Sequence, residues 1–301
     1  LPGAAGPAIM LAMFKALLKS MRPKQWPKNA FVFAALVFDL QLRNPDSLLR
    51  TTAGFLLFCL VSSAVYLTND LMDLEADRQH PTKRNRPIAS GHLDLRVART
   101  AAFVFGIVSI ALALALGTGF AMILTAYLVL NLFYSYRLKH IPILDVLVVA
   151  AGFVLRVAAG TTLITVERFS PWLYVCMTLL ALVIGFGKRR AEIVLLEGTA
   201  GTHRRVLDGY TLPLLDHLIS IVSATAIVGY SLYTFSAENL PANHLMMLTI
   251  PFVLYGVFRY LHLIHVEDAG GSPEELVLTD RPLAATIVLW GLAATIILYL
   301  A

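Results

Sequence analysis

The sequence predicts an all-α polytopic membrane protein with nine transmembrane helices, and three observations carry that prediction. The chain has 301 residues, 58% of them hydrophobic and only 14% charged, where a soluble domain carries about 25% charge. Its apolar residues come in long blocks close to the ~20 residues needed to cross a bilayer. Its Lys and Arg residues are distributed unevenly between the polar connections.

Residues 1–28 read as an N-terminal interfacial segment. Within it, Met10 to Met21 has the pattern of a short amphipathic helix on the inner leaflet, with Lys15 and Lys19 at the headgroups. The opening Leu1 to Pro7 has no basic stretch leading into an apolar core, so it does not read as a signal peptide. Residues 29–301 read as one transmembrane domain, with spans near 29–42, 51–70, 98–116, 119–136, 142–165, 171–187, 213–235, 244–264 and 283–301. With the N-terminus inside, the inner segments hold 20 of the 24 Lys and Arg residues, and the outer loops hold only Arg43, Arg50 and Arg168. The positive-inside rule then places the N-terminus in the cytoplasm and the C-terminus outside a cell membrane. The same clustering explains the net charge of +5 without nucleic acid as a partner. Cys59 and Cys176 lie in apolar spans and read as packing residues. The small residues Ala158-Ala-Gly160 and Gly185-Phe-Gly187 suit close helix approach. The sequence is compatible with a homo-oligomer.

Polar complexity gathers on the inner side. The second span ends in Asn69-Asp-Leu-Met-Asp-Leu-Glu-Ala-Asp77, against the usual preference for Lys and Arg at an inner boundary. Asn69, Asp73 and Asp77 are four apart, so on a helix they share one face. An oxygen-only set of this kind suits a hard cation such as Mg2+, which takes phosphate oxygens as further partners. The plain alternative is a solvated helix end. Directly after it comes His80-Pro-Thr-Lys-Arg-Asn-Arg-Pro87, whose Lys83, Arg84 and Arg86 suit either lipid headgroups or a diphosphate held beside a metal.

Three further clusters lie at inner helix ends. Arg22-Pro-Lys-Gln-Trp-Pro-Lys-Asn29 offers Lys24 and Lys28, with Trp26 fitting an interfacial belt. Asn131 to His140 offers Tyr134 as a donor and Lys139 as a point charge for phosphate. Gly187-Lys-Arg-Arg-Ala-Glu192 offers Lys188, Arg189 and Arg190 as a second anion grip, or else a Lys188–Glu192 ion pair on a plain helix end. Two ionisable residues fall inside the fifth span. Asp145 and Arg156 share a face but stand about 16 Å apart along the axis, so Arg156 needs a partner from another helix.

At Asn69-x-x-x-Asp73-x-x-x-Asp77, with Tyr134 and Lys139 at an inner helix end, the chain resembles the UbiA superfamily of intramembrane prenyltransferases. The resemblance runs over nearly the whole chain. It implies a nine-helix bundle around a central cavity open to the cytoplasm, with Mg2+ on Asn69, Asp73 and Asp77. Typical members carry a second Asp-x-x-x-Asp after the sixth span; here that place holds Lys188-Arg-Arg-Ala-Glu192. The Tyr-to-Lys spacing is one residue longer than usual. Together with Arg22 to Asn29, Pro81 to Pro87 and Pro273-Glu-Glu, these departures resemble the decaprenyl-phosphate phosphoribosyltransferase branch. That branch implies phosphoribosyl diphosphate as donor, a polyprenyl phosphate as acceptor, and a precursor of cell-wall arabinan as product. The implied catalytic residues are Asn69, Asp73, Asp77, Tyr134 and Lys139. The implied substrate ligands are Lys24, Lys28, Asp70, Lys83, Arg84, Arg86, Lys188, Arg189, Arg190 and Glu192.

Two rivals follow. One is a prenyltransferase moving a polyprenyl chain from its diphosphate to an aromatic or other small acceptor. The other is a divalent-cation transporter, which would need polar residues through the midplane of several spans.

Overall fold

In the computed structural model, described residues are 7–80, 82–166, 170–197, 205–237, 240–241, 243–271 and 273–300. Arg168 and Arg204 of the charge tally, and Pro81 of the basic motif, lie outside them, as do the side chains of Pro273 and Glu274. The described residues are helical and contain no strand. In order they form α1 (Pro7–Ser20), a 3-10 segment (Pro23–Phe33), α2 (Ala34–Phe38), α3 (Pro45–Met72), α4 (Leu74–Gln79), α5 (Leu95–Leu116) and α6 (Thr118–Tyr136). After these come α7 (Leu144–Leu163), α8 (Pro171–Glu197), α9 (Leu212–Ser236), α10 (Ile250–His265), α11 (Pro273–Thr279) and α12 (Arg281–Leu300).

Eight helical stretches among the described residues are long and apolar enough to cross a membrane, which makes this a multi-pass membrane protein. The ninth expected span, 29–42, is not a helix of that kind. Its place is taken by the 3-10 segment and the short α2. The cause is local. Pro23 and Pro27 supply no N–H, and Lys24, Gln25, Lys28 and Asn29 crowd polar atoms into the same turns. Eleven residues of 3-10 rise about 22 Å, and α2 adds about 7 Å, so the stretch is as long as a bilayer core without being an α-helix. Non-helical backbone at that depth is tolerable only inside protein. Asn29, Val32, Ala35 and Leu36 are accordingly buried, against α3 and α7.

The first half of the bundle packs α3, α5, α6 and α7 around Phe58, Phe120, Leu124 and Leu163. The second packs α7 to α10 around Val146, Phe186, Leu215, Ile219 and Ile264. Close approach uses small residues. A Cβ on Gly160 would overlap the carbonyl oxygen of Val32, and one on Gly187 would lie 2.6 Å from the Tyr260 hydroxyl. At one end of the bundle Arg50 donates to Leu163 O (2.9 Å) and Leu116 O (2.5 Å), capping the C-termini of α7 and α5 with one cation. A recess of about 900 Å³ opens there, lined by Asp39, Gln41, Arg43, Asp46 and Arg50. α3 is 28 residues long, about 42 Å, so its acidic C-terminus stands far from that recess, at the opposite end.

Candidate active site

The acidic motif straddles a helix break. α3 ends at Met72, Asp73 leaves helical geometry (φ −93°, ψ 11°), and α4 starts at Leu74. The i to i−4 bonds nevertheless run through, Asp73 N to Asn69 O (2.9 Å) and Asp77 N to Asp73 O (2.8 Å). Asn69, Asp73 and Asp77 therefore stack on one face.

Three cations meet the three aspartates of the motif. Arg86 Nη1 donates to Asp77 Oδ2 (2.6 Å) and Asp70 Oδ1 (3.0 Å). Arg22 Nη2 donates to Asp70 Oδ1 (2.5 Å), with its guanidinium 5.0 Å over the Tyr66 ring. Lys139 Nζ donates to Asp73 Oδ1 (2.5 Å). Asp70 and Asp77 are both buried. Paired in this way they escape the large cost of an isolated buried charge.

The residues present fit a hard divalent cation. Asn69 Oδ1 is buried and accepts no hydrogen bond among the described residues, an orphaned oxygen of the kind that calls for an explanation. One oxygen of Asp73 and one of Asp77 likewise have no donor among the described residues. No group of three His, Cys, Asp or Glu residues at metal spacing occurs among the described residues. A donor set here would be two carboxylates and an amide oxygen, completed by ligands from elsewhere.

A second charged cluster lies at the same end. Arg189, on α8, donates through Nε to Asp145 Oδ2 (2.6 Å) and through Nη1 to Glu192 Oε2 (2.6 Å). Asp145 is fully buried and also accepts from the Tyr210 hydroxyl (2.6 Å), which in turn accepts from Ile143 N (2.5 Å). Burial and the neighbouring Asp145 carboxylate raise the Tyr210 hydroxyl well above its usual range. Tyr134 is within electrostatic reach of Arg189. Tyr134 and Lys139, at the end of α6 and in the turn after it, thus adjoin one cluster each.

The structure divides the expected basic ligands. Arg86, Lys139 and Arg189 sit within the two clusters. Lys188 forms no ion pair or hydrogen bond among the described residues, and Glu192 pairs with Arg189 instead. Lys24 and Arg84 are exposed, and Lys28 and Lys83 are half-buried. Arg190 points elsewhere: it binds Asp216 Oδ1 (2.8 Å), Ile264 O (2.6 Å) and Asp268 Oδ1 (3.4 Å), tying α8 to α9 and to the end of α10.

Sequence reasoning missed several members. Arg22 stood in a quoted motif, but its left-handed backbone (φ 53°), which aims it at Asp70, has no signature in the residue itself. Asp145 and Tyr210 emerge only with Arg189. Arg156, which needed a partner, finds Asn29 and Tyr127. Trp26 Nε1 donates to Ser63 Oγ on α3 (3.2 Å), a tie with no local sign in the sequence.

The family model described as the UbiA prenyltransferase family matches residues 29–192. A decaprenyl-phosphate phosphoribosyltransferase of Mycolicibacterium smegmatis is 34% identical over 95% of this chain and 92% of its own. One of Mycobacterium tuberculosis is 33% identical over 91% of each chain. Among solved structures, a UbiA homologue of Archaeoglobus fulgidus bound to GPP and Mg2+ superposes with a TM-score of 0.72 at 20% identity, over 94% of this chain and 99% of that one. With its helical bundle, its acidic ladder and these relatives together, the chain is a transferase that belongs to the UbiA prenyltransferase family.

Proposed function

We propose that this transferase moves a 5-phosphoribosyl group from phosphoribosyl diphosphate to a polyprenyl phosphate, such as decaprenyl phosphate, releasing diphosphate. The reaction takes place at the cytoplasmic face of a cell membrane, and its product serves cell-wall arabinan synthesis. The observation that carries the reading is the asymmetry of the two clusters. One is an oxygen ladder with an orphaned amide oxygen. The other has no Asp-x-x-x-Asp ladder and centres on Arg189, which Asp145 holds from one side while its second partner, the partly exposed Glu192, can give way to a 5-phosphate. The names of the curated relatives, which match over more than nine-tenths of this chain, support the same substrates.

Asn69, Asp73 and Asp77 would hold Mg2+, which when bound supplies charge neutralisation for the departing diphosphate. The chain's own residues do the rest. Arg86 and Lys139 exchange their carboxylate partners for phosphate oxygens, aided by Lys83 and Arg84 at the loop and by Lys24 and Lys28 from the 3-10 segment. Arg189 and Lys188 orient the other end of the donor, with Tyr134 beside Arg189. The acceptor phosphate is already ionised at neutral pH, so the site needs no general base. Catalysis rests on positioning and on fixed charges at the face of the apolar bundle. The three aspartates and three cations of the first cluster balance before any ligand arrives, which favours joint arrival of a metal and a polyanion.

The test is transfer by the purified protein in detergent with labelled phosphoribosyl diphosphate, polyprenyl phosphate and Mg2+. Label is expected in the lipid phase. Transfer from a polyprenyl diphosphate to an aromatic acceptor instead, with none from the ribosyl donor, would favour the ordinary prenyltransferase reading.

A further inference from the structure

Arg156 lies in the interior of α7, 6% exposed. Its Nε donates to Asn29 Oδ1, its Nη1 to Gly152 O and its Nη2 to the Tyr127 hydroxyl, each at 2.8 Å. The guanidinium lies 4.8 Å from the Tyr127 ring centre and 5.3 Å from that of Phe153. Every one of these partners is neutral, and no carboxylate pairs with Arg156 among the described residues. A cation so deep in an apolar bundle is expensive and points to a task beyond packing.

The task is visible in what Arg156 holds. Asn29 belongs to Pro23–Phe33, the 3-10 segment that follows Arg22 and carries Lys24 and Lys28. Two prolines and eleven residues of 3-10 geometry leave that segment poorly able to hold itself. It is held from outside, by one face of α7. Gly160, four residues beyond Arg156 and so on the same face, makes room for the Val32 carbonyl, while Arg156 grips Asn29. Asn29 in turn donates to Ser62 Oγ (3.2 Å) and Cys59 Sγ (3.4 Å) on α3. One amide thus locks the segment to two helices.

We infer that Arg156 is a positioning residue: acting through Asn29, it fixes the depth and rotation of the 3-10 segment and so places Arg22 on Asp70 and Lys24 and Lys28 at the phosphate site. The inference rests on the phosphate reading above. It needs a guanidinium, because the three acceptors around it call for a planar fork that an ammonium lacks.

Trp26 lies in the same segment and reports its placement. Subtracting the spectrum of Trp26→Phe isolates its emission in the full chain. Arg156→Met and Arg156→Lys are both expected to shift that emission and to weaken binding of inorganic pyrophosphate in Mg2+ by about tenfold or more. Unchanged emission and affinity, even with a lower melting temperature, would overturn the inference. So would shifted emission with unchanged affinity, since the segment would then move without consequence for the site. A lysine that restores both would assign the role to charge alone and overturn the clamp. Where Arg156→Met does not fold, Asn29→Ala carries the same expectation and the same refutations. Wild-type protein that binds no Mg2+–pyrophosphate counts against the phosphate reading; the Trp26 emission then still decides whether Arg156 places the segment.

Discussion

Lys139 Nζ lies 2.5 Å from Asp73 Oδ1, although 66 positions separate the two residues. The contact joins the break between α3 and α4 to the turn after α6. It is lopsided: the Lys139 side chain is 8% exposed and that of Asp73 is 39% exposed. The cation is the buried member and the acid faces outward, available to a ligand.

That asymmetry separates activity from stability at Asp73. Replacing Asp73 by Asn removes the charge but leaves the buried Lys139 an amide oxygen to donate to, so the loss of stability is about 1 kcal/mol. The melting temperature is expected to move little. Transfer is expected to fall by about a hundredfold or more, because the metal loses an anionic carboxylate. Thermal melts and the lipid-transfer assay on the same preparation check both halves. Turnover at the wild-type rate would remove Asp73 from the metal.

The sequence made much of this legible, and the reason is periodicity. Apolar blocks announce membrane helices, and a spacing of four puts Asn69, Asp73 and Asp77 on one face without reference to any other element. Pairings across elements carry no such local sign. Arg22 meets Asp70 across 48 positions, Arg189 meets Asp145 across 44, and Arg156 meets Asn29 across 127. The 3-10 segment shows the limit from the other side. Its two prolines and dense polar residues were in view, but hydropathy alone reads 29–42 as an ordinary span. The length was right and the hydrogen-bonding pattern was not, because backbone choice there is set by burial against α3 and α7.

Asp145 is expected to matter through Arg189 and Tyr210. Asp145→Asn keeps the shape and loses the charge, leaving Arg189 with Glu192 as its acidic partner. Breaking a buried pair costs roughly 3–5 kcal/mol, and the remaining Glu192 contact reduces this to about 2–4 kcal/mol. Tyr210 adds a dependence on pH. Burial, and then its bond to Asp145, raise the hydroxyl above its ordinary value of 10.0, so the folded protein binds that proton more tightly than the unfolded chain. The stabilisation is whole below about pH 10 and is lost as pH rises beyond it. Melts across pH 8 to 11 should show wild-type protein losing more stability at the alkaline end than Tyr210→Phe does. Parallel curves would mean that the Tyr210 proton is not linked to folding.

Arg189 and Arg190 are adjacent on α8 and give the sharpest contrast. A reading by composition treats them as one basic patch. Their partners lie on different helices: Arg189 faces Asp145 on α7, and Arg190 faces Asp216 on α9 and the carbonyl of Ile264 on α10. Arg190 binds three acceptors that all belong to the scaffold, so Arg190→Ala should lower the melting temperature and leave the KM for phosphoribosyl diphosphate within about twofold. Arg189 adjoins Tyr134 and can trade Glu192, whose side chain is 26% exposed, for a phosphate oxygen. A charge-assisted bond to phosphate contributes on the order of 1.5–3 kcal/mol, so Arg189→Ala should raise that KM about tenfold to a hundredfold. Equal KM values in the two variants would show that the donor does not reach α8, and the 5-phosphate would then have to be held by the loop carrying Lys83 and Arg84.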